Sequence, residues 1–221
     1  MASLREQLVG LVLSNGVVTG IDDVNGSFRR LTVSTQARWS PGDKVQLWLG
    51  GTRFRTYTPF AWTDDSVSFL VYRHGPSPST RWVDRLTVDE TVHFRGPRGS
   101  VNLSNLPRPP IHVGDETSFA LAASSPGECI FEATDPAAAE EALTHLGLTD
   151  SVVIPRRPDD THHKDLCDRV VAAIRQAPDT PLVLTGKSQT IKSLRQALKQ
   201  ASLSPTTRVK TYWDPNRTAL D

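Results

Sequence analysis

The pattern of the sequence changes at a proline-rich segment, Leu106-Pro107-Arg108-Pro109-Pro110, and this change constrains the fold more than any other feature. Before it, short runs such as Lys44–Leu49 and Val67–Val71 alternate apolar and polar residues between turn-forming residues. Such runs are typical of strands in a small antiparallel barrel. Because proline interrupts both helices and strand ladders, the segment predicts a boundary between a β-barrel domain at 1–106 and an α/β domain at 111–221.

The second half of the chain alternates strand-like and helix-like patterns. Three apolar segments have the composition of buried strands: Cys129–Ala133, Val152–Pro155 and Leu182–Thr185. Between them, apolar residues recur at helical spacing, as at Leu166, Val170 and Ile174. This alternation predicts a mostly parallel sheet covered by helices. Ligands on such sheets bind beyond the carboxyl ends of the strands, where Gly114–Thr117 and Thr185–Ser188 are expected.

Composition excludes several functional classes. The 221 residues are 38% hydrophobic and 22% charged, and no apolar run approaches the roughly 20 residues of a membrane span. The net charge of +1 is too small to favour a nucleic-acid partner. Cys129 and Cys167 form neither a metal-binding pair nor a disulfide framework. The first residues lack the apolar core of a signal peptide, so we expect a cytoplasmic protein.

The last part of the chain is basic. Residues 181–221 contain seven Lys or Arg against two Asp or Glu. Lys192, Arg195 and Lys199 lie at helical spacing, which is consistent with a solvated helix face. The alternative is that these side chains attract an anionic ligand such as a nucleotide phosphate.

Two neighbouring segments contain the groups that a flavin dinucleotide requires. Arg53–Phe60 alternates as a strand does, which places Arg55 and Tyr57 on one face. In the Gly/Pro/Ser loop that follows, Ser79 is expected to cap a helical turn over Thr80–Leu86, whose free N–H groups attract phosphate. A cation, an aromatic ring and N–H donors together favour a flavin site. Each segment alone is equally typical of a solvated sheet face or an ordinary turn.

Two other patterns carry no function in this interpretation. Gly186-Lys187-Ser188 resembles the end of a phosphate-binding Walker loop, but Pro181 stands where that loop requires glycine, so a kinase or ATPase is excluded. His162 and His163 are expected to be a solvated pair rather than metal ligands, because adjacent side chains point in different directions. We expect no metal site and no catalytic acid or base.

A series of motifs occurs in a fixed order along the chain. The motifs are Arg55-Thr56-Tyr57-Thr58, Val71-Tyr72-Arg73-His74-Gly75 with Ser79-Thr80-Arg81-Trp82, Gly96-Pro97-Arg98-Gly99-Ser100, Gly114-Asp115-Glu116-Thr117 and Tyr212-Trp213. This order resembles the siderophore-interacting protein family, FAD-dependent ferric-siderophore reductases of the ferredoxin-reductase-like superfamily. The resemblance covers about residue 8 to about residue 215, and Gly-Asp-Glu-Thr is its most specific part.

The resemblance implies roles for individual residues. Those that would contact FAD or, in the second domain, the nicotinamide nucleotide are Arg55, Tyr57, Thr58, Tyr72, His74, Ser79, Thr80, Arg81, Trp82, Asp115, Thr117 and Trp213. Basic side chains would hold the ferric siderophore or related ferric chelate, and the residues expected to do so are Lys187, Lys192, Arg208 and Lys210. Electrons would pass from the flavin to ferric iron without an acid–base catalyst.

This chain departs from the family pattern in its second half. The helix after Gly-Asp-Glu-Thr is expected to be about one turn short, and Lys187 stands where the family commonly has glutamate. FAD binding is therefore better supported than nicotinamide binding, and the donor could be NADPH, NADH or a small redox protein. We expect a monomeric reductase. The alternatives are a flavin- or siderophore-binding protein without reductase activity and a reductase that serves a biosynthetic enzyme.

Overall fold

The chain divides into two compact units, Met1–Ser100 and Val101–Asp221. The computed structural model describes residues 13–216, so the outer ends of the two predicted domains, 1–12 and 217–221, lie outside the described residues. The domain limits at 106 and 111 stay predictions. Within the described range, no helix combines the length and the apolar character needed to cross a membrane.

The first unit is built from antiparallel strands. Their bounds are β1 Ser14–Asp23, β2 Phe28–Ser34, β3 Asp43–Trp48, β4 Phe54–Tyr57, β5 Pro59–Trp62, β6 Ser66–Tyr72 and β7 Thr91–Gly99. In the described part of the unit these strands form one barrel-like sheet in the order β4-β3-β7-β1-β2-β6-β5. Every neighbouring pair is antiparallel, so the predicted antiparallel barrel is confirmed.

Alternation along each strand determines which side chains fill the barrel. In β2 the buried residues are Phe28, Leu31 and Val33, and in β3 they are Val45 and Leu47. Successive side chains of a strand point to opposite faces, so Leu31 and Val33 of β2 share one face, as do Val45 and Leu47 of β3, and these four form part of the core. Phe28 lies three positions from Leu31 and stacks on Tyr72 instead. Helix α1, Pro78–Arg85, closes this core with its own buried apolar side chains.

The second unit alternates strands and helices. Its elements are β8 Ile111–Gly114, a 3₁₀ turn Glu116–Ser118, α2 Phe119–Ala123, β9 Glu128–Ala133, α3 Pro136–His145, β10 Val152–Pro155, α4 His163–Gln176, β11 Leu182–Lys187, α5 Ser188–Gln200 and β12 Thr207–Trp213. The strands are parallel and lie in the order β10-β9-β8-β11-β12. The predicted parallel α/β sheet is confirmed.

The apolar stripes of the second-unit helices face the sheet. Leu166, Val170 and Ile174 of α4 are at most 1% exposed and pack in one core with the strands. Helix α2 after Gly-Asp-Glu-Thr has five residues, and the expected shortening relative to the family stays a prediction. A short helix leaves little apolar surface to hold its loop, and other interactions must do so.

Candidate functional site

Helix α1 begins two residues earlier than the sequence analysis predicted. Ser77 is its N-cap, and the Ser77 hydroxyl accepts a hydrogen bond from the N–H of Thr80 at 3.1 Å. Pro78 occupies the first helical position, where the N–H that proline lacks would have no helical acceptor. The expected cap at Ser79 is therefore wrong, because the proline fixes the start of the helix. Ser79 is instead buried in the first turn.

Strand β4 and the first turn of α1 meet through Tyr57 and Ser79. The Ser79 side chain lies beside the Tyr57 phenol, and the half-buried Tyr57 ring packs against the core. Burial raises the pKa of the Tyr57 phenol to about 12, while the Ser79 side chain and the charge of Arg55 act in the opposite direction. The phenol therefore stays neutral near pH 7 and is a fixed aromatic and hydrogen-bonding group.

Arg55 adds positive charge close to this contact. Its side chain is exposed, and Nη1 donates to the carbonyl of Phe54 at 2.9 Å. A guanidinium has five N–H donors, so one backbone bond leaves it able to bind an anion. The N–H of Ser79, in the first turn of α1, has no acceptor within the helix. The first unit thus combines a free cation, an N–H donor and an aromatic ring.

The other predicted flavin contacts of the first unit differ in exposure. Trp82 is 6% exposed and belongs to the hydrophobic core, so its ring stabilises the unit from inside. The Tyr72 ring stacks on Phe28 and lies 5.9 Å from the ring of His74. The remaining residues are half-buried or exposed, and they are Thr58, Thr80, Arg81 and His74.

The strand order of the second unit creates a switch point between β8 and β11. The chain continues from β8 to β9 and β10 on one side and to β11 and β12 on the other. In open parallel sheets, ligands bind in the crevice beyond the carboxyl ends of the strands at such a point. Asp115–Thr117 directly follow β8 here, and Lys187 and Ser188 form the junction between β11 and α5.

The carboxylate of Asp115 joins these two segments. Its Oδ1 accepts hydrogen bonds from the N–H of Thr117 at 2.9 Å and from the Thr117 hydroxyl. Its Oδ2 accepts from the N–H of Lys187 at 2.9 Å and from the indole N–H of Trp213 at 2.8 Å. Burial raises the pKa of Asp115 to about 6, and the bonds from Thr117 and Trp213 oppose this rise. Of the three residues predicted to contact cofactor here, Thr117 and Trp213 thus both donate to Asp115.

Arg156, directly after β10, is the counter-charge to a group of buried carboxylates. Its guanidinium binds Glu116 through two hydrogen bonds, of 2.8 and 3.3 Å. It also lies 3.5 Å from Glu132 and 4.0 Å from Asp115. These three acids are 0–5% exposed. Burial alone would lower the pKa of Arg156, but the three negative charges raise it, so the guanidinium stays charged.

Glu132 is a charged residue inside the apolar strand β9. His162 Nε2–H donates to one carboxylate oxygen at 2.6 Å, and the Thr190 hydroxyl donates to the other at 2.8 Å. The N–H of Arg157 donates to His162 Nδ1 at 3.1 Å, which fixes the imidazole proton on Nε2. His162 is 0% exposed, so the expected solvated pair with His163 is wrong. The acceptor lies 30 positions away, beyond the reach of local sequence patterns.

Glu132, His162 and His163 have ligand-type atoms within 4.8 Å of one another. A metal ion at His162 Nε2 would require the ring proton to move to Nδ1, which already accepts the bond from Arg157. Both ring nitrogens of His163 lie 3.2 Å from hydroxyl oxygens. The donors and acceptors therefore match a hydrogen-bond network better than a metal site.

Lys187, which was predicted to bind substrate, is held inside this part of the second unit. Its Nζ lies 2.7 Å from Asp160, and its side chain is 11% exposed. The same nitrogen lies 5.9 Å from the centre of the Trp213 ring. We call Asp115, Glu116, Glu132, Arg156, His162, Lys187 and Trp213 the switch-point network.

The other predicted substrate residues lie on different surfaces of the second unit. Lys192 lies in a groove of about 490 Å³ that runs along α5 and β12. The groove is lined by Ser188, Ile191, Lys192, Arg195, Gln196, Lys199, Val209 and Thr211. Arg208 and Lys210 alternate with Val209 and Thr211 along β12, so they point away from the groove. The four predicted residues are therefore not brought together, and their substrate roles stay predictions.

No protein-family model matches this chain, and no curated protein matches it. Several solved structures, by contrast, are similar to it. The siderophore-interacting protein SipS from Aeromonas hydrophila has a TM-score of 0.72 at 16% identity, with 93% of each chain covered. The ferredoxin-NADP⁺ reductase from Plasmodium falciparum has a TM-score of 0.69 at 10% identity, over 96% of this chain and 98% of that one.

A third similar structure is full-length CYP116B46 from Tepidiphilus thermophilus, with a TM-score of 0.71 and 17% identity. The match covers 95% of this chain but spans only 30% of that longer chain. At these identities the likeness shows the fold. The expected resemblance to siderophore-interacting proteins and ferredoxin reductases is confirmed at that level.

Proposed function

We propose that this protein is an FAD-dependent reductase that passes electrons to ferric siderophores or related ferric chelates. The shared fold supports the flavin-dependent reductase class. The observation that carries the proposal is the contact between Tyr57 and Ser79 beside the exposed Arg55. These groups come from two segments that the sequence analysis assigned to one flavin site.

The groups of the first unit fit FAD. The pyrophosphate requires positive charge and N–H donors, which Arg55 and the first turn of α1 provide. The flavin ring requires an aromatic surface held in one orientation, and packing against the core of the first unit restrains the Tyr57 ring. Bound FAD would supply the redox chemistry, since it accepts an electron pair and delivers single electrons.

The side chains of this chain bind and orient rather than transfer protons. Reduction of a ferric chelate consumes one electron per iron and gives ferrous iron, which such chelators hold less tightly. The basic groove along α5 and β12 offers Lys192, Arg195 and Lys199 to an anionic chelate. Attraction of this kind is screened by salt over about 8–10 Å. A cytoplasmic location and a monomeric state stay predictions.

FAD titration of the purified protein tests the flavin site. Arg55→Ala should weaken FAD binding by about 1.5–3 kcal/mol, roughly 10- to 150-fold in Kd, because a charge-assisted hydrogen bond is lost. Arg38→Ala, which removes another exposed arginine of the first unit, is the matched control and should leave Kd unchanged. A wild-type protein that does not quench flavin fluorescence would refute the proposal.

The acceptor is tested separately from the flavin. The FAD-loaded protein is photoreduced without oxygen, mixed with an anionic or a neutral ferric chelate, and followed by a ferrous-specific dye. Reoxidation of the flavin by chelates faster than by dioxygen supports ferric reduction. Binding of FAD without such reoxidation would favour a flavin- or siderophore-binding protein or a reductase with a biosynthetic partner.

A further inference from the structure

The crevice between β8 and β11 is where this fold would receive the phosphates of a nicotinamide dinucleotide. A pyrophosphate at such a position requires backbone N–H groups directed at it and a nearby cation. In this chain the N–H groups are those of Thr117 and Lys187, and the cation is the guanidinium of Arg156.

The two N–H groups are already directed at the carboxylate of Asp115, and the guanidinium is already hydrogen-bonded to Glu116. The N–H of Thr117 donates to Oδ1, and the N–H of Lys187 donates to Oδ2, both at 2.9 Å. The indole N–H of Trp213 donates to Oδ2 at 2.8 Å, and Arg156 lies 4.0 Å away. Asp115 is 0% exposed. An anion with two oxygens therefore already satisfies the donors that a phosphate would use.

The two glycines beside Asp115 are closely packed against the protein. Gly186 has a φ of +100°, and a Cβ at this position would collide with the Asp115 carboxylate, lying 2.7 Å from Cγ. On the other side, a Cβ at Gly114 would lie 2.8 Å from the Thr185 carbonyl and would collide with Ser118. The glycines that would give a nucleotide access to the backbone are packed against the protein instead.

Electrostatics act in the same direction. Glu116 and Glu132, both at most 5% exposed, share Arg156 with Asp115. A pyrophosphate would bring further negative charge to a buried region where three carboxylates already compete for one guanidinium. Like charges a few ångströms apart repel strongly when water is excluded.

We propose that Asp115 is an internal anion that occupies the phosphate position at the switch point and excludes nicotinamide dinucleotides from the second unit. Asp115 then determines specificity by exclusion. On the proposed reductase function, reducing equivalents reach the flavin from a donor that does not use this crevice. The residues present do not fit a bound nicotinamide dinucleotide at this position.

The wild-type protein provides the first test. NADP⁺, which cannot reduce a flavin, and inorganic pyrophosphate are added to isotope-labelled protein while amide resonances are recorded. The amide signals of Thr117 and Lys187 should stay unchanged at millimolar concentrations of either compound. Saturable shifts at both amides would overturn the proposal, and this measurement requires no variant.

The second test removes the internal anion. Asp115→Ala should bind pyrophosphate at least tenfold more tightly than the wild type in calorimetry, because the donors of Thr117, Lys187 and Trp213 are released. Asp135→Ala is the matched control, since Asp135 also caps a helix through its carboxylate but accepts only from Ala138 in the described structure. The control should gain no affinity. A folded Asp115→Ala protein without increased affinity would contradict the proposal.

Asp115→Asn is used if the alanine variant does not fold. It keeps the size of the side chain but removes its charge, and it should allow measurable, salt-sensitive pyrophosphate binding where the wild type shows none. FAD binding is measured on each sample. If the wild type does not bind FAD, the reductase function is refuted. If it binds a nicotinamide nucleotide at Thr117 and Lys187, only the exclusion by Asp115 is refuted.

Discussion

Removal of the Arg156 guanidinium should destabilise the protein strongly. Arg156 is 14% exposed, and its partners Glu116 and Glu132 are 4% and 0% exposed. Removing one member of a buried ion pair typically costs about 3–5 kcal/mol, because the remaining charge is left without compensation. Arg156→Met keeps the apolar part of the side chain and removes only the charged end, so the loss reports mainly on the charge.

The remaining hydrogen bonds place the expected loss at the lower end of this range. Glu116 keeps the bond from the N–H of Thr134 at 2.7 Å, and Glu132 keeps those from His162 and Thr190. We therefore expect Arg156→Met to lower the free energy of unfolding by about 3 kcal/mol at neutral pH. Urea unfolding followed by circular dichroism measures this difference.

The pH dependence of the loss tests its cause. Without Arg156, the folded-state pKa of Asp115, which burial already raises to about 6, rises further because a nearby positive charge is lost. Groups with raised pKa values contribute stability at low pH and lose it as the pH rises through the folded pKa. The free energy of unfolding lost in Arg156→Met should therefore be smaller at about pH 5 than at about pH 8.

The adjacent Arg157 is the matched control for this experiment. Its side chain is exposed, and the bond it makes to His162 comes from its backbone N–H. Arg157→Met should change stability by no more than about 0.5 kcal/mol. The reasoning would be refuted if Arg156→Met lowered the free energy of unfolding by less than about 1 kcal/mol, or by the same amount at both pH values.

Two further predictions concern single side chains. Burial lowers the pKa of His112 from 6.5 to about 4. The folded protein is therefore about 3 kcal/mol more stable above pH 6.5 than near pH 4, because protonation of His112 favours the unfolded chain. His112→Gln should flatten the dependence of the urea midpoint on pH between these values, and an unchanged slope would contradict this prediction. Ser77→Ala should cost about 1 kcal/mol and Ser77→Gly only a few tenths; equal losses in thermal unfolding would exclude an N-cap role.

The sequence predicted those parts of the fold that depend on local periodicity. The run Lys44–Leu49 was predicted as a strand and coincides with β3 to within one residue at each end, because Val45 and Leu47 lie on one face of an alternating run. The stripe of α4 was predicted for the same reason. The cap of α1 was misplaced although Pro78 marked the first helical position, because both Ser77 and Ser79 have the chemistry of a cap.

The switch-point network could not be predicted from spacing. Glu116 and Arg156 are 40 positions apart, and Glu132 and Thr190 are 58 apart, so their contacts depend on the order of the strands. One local signal was present: Glu132 is an acid within the apolar strand β9, and a buried charge requires a partner. The identity of that partner required the structure.

The energetics of this network support a role in specificity. A buried group of carboxylates around Arg156 contributes little net stability, because desolvation of the charges offsets their attraction, and apolar residues of similar volume would stabilise the sheet edge equally well. Conformational stability alone therefore does not explain these residues. In the first unit, by contrast, Arg55 stays exposed and able to bind an anion. A chain that leaves anion-binding groups free in one unit and occupies them with Asp115 in the other is suited to bind the flavin phosphates and to exclude those of a nicotinamide nucleotide.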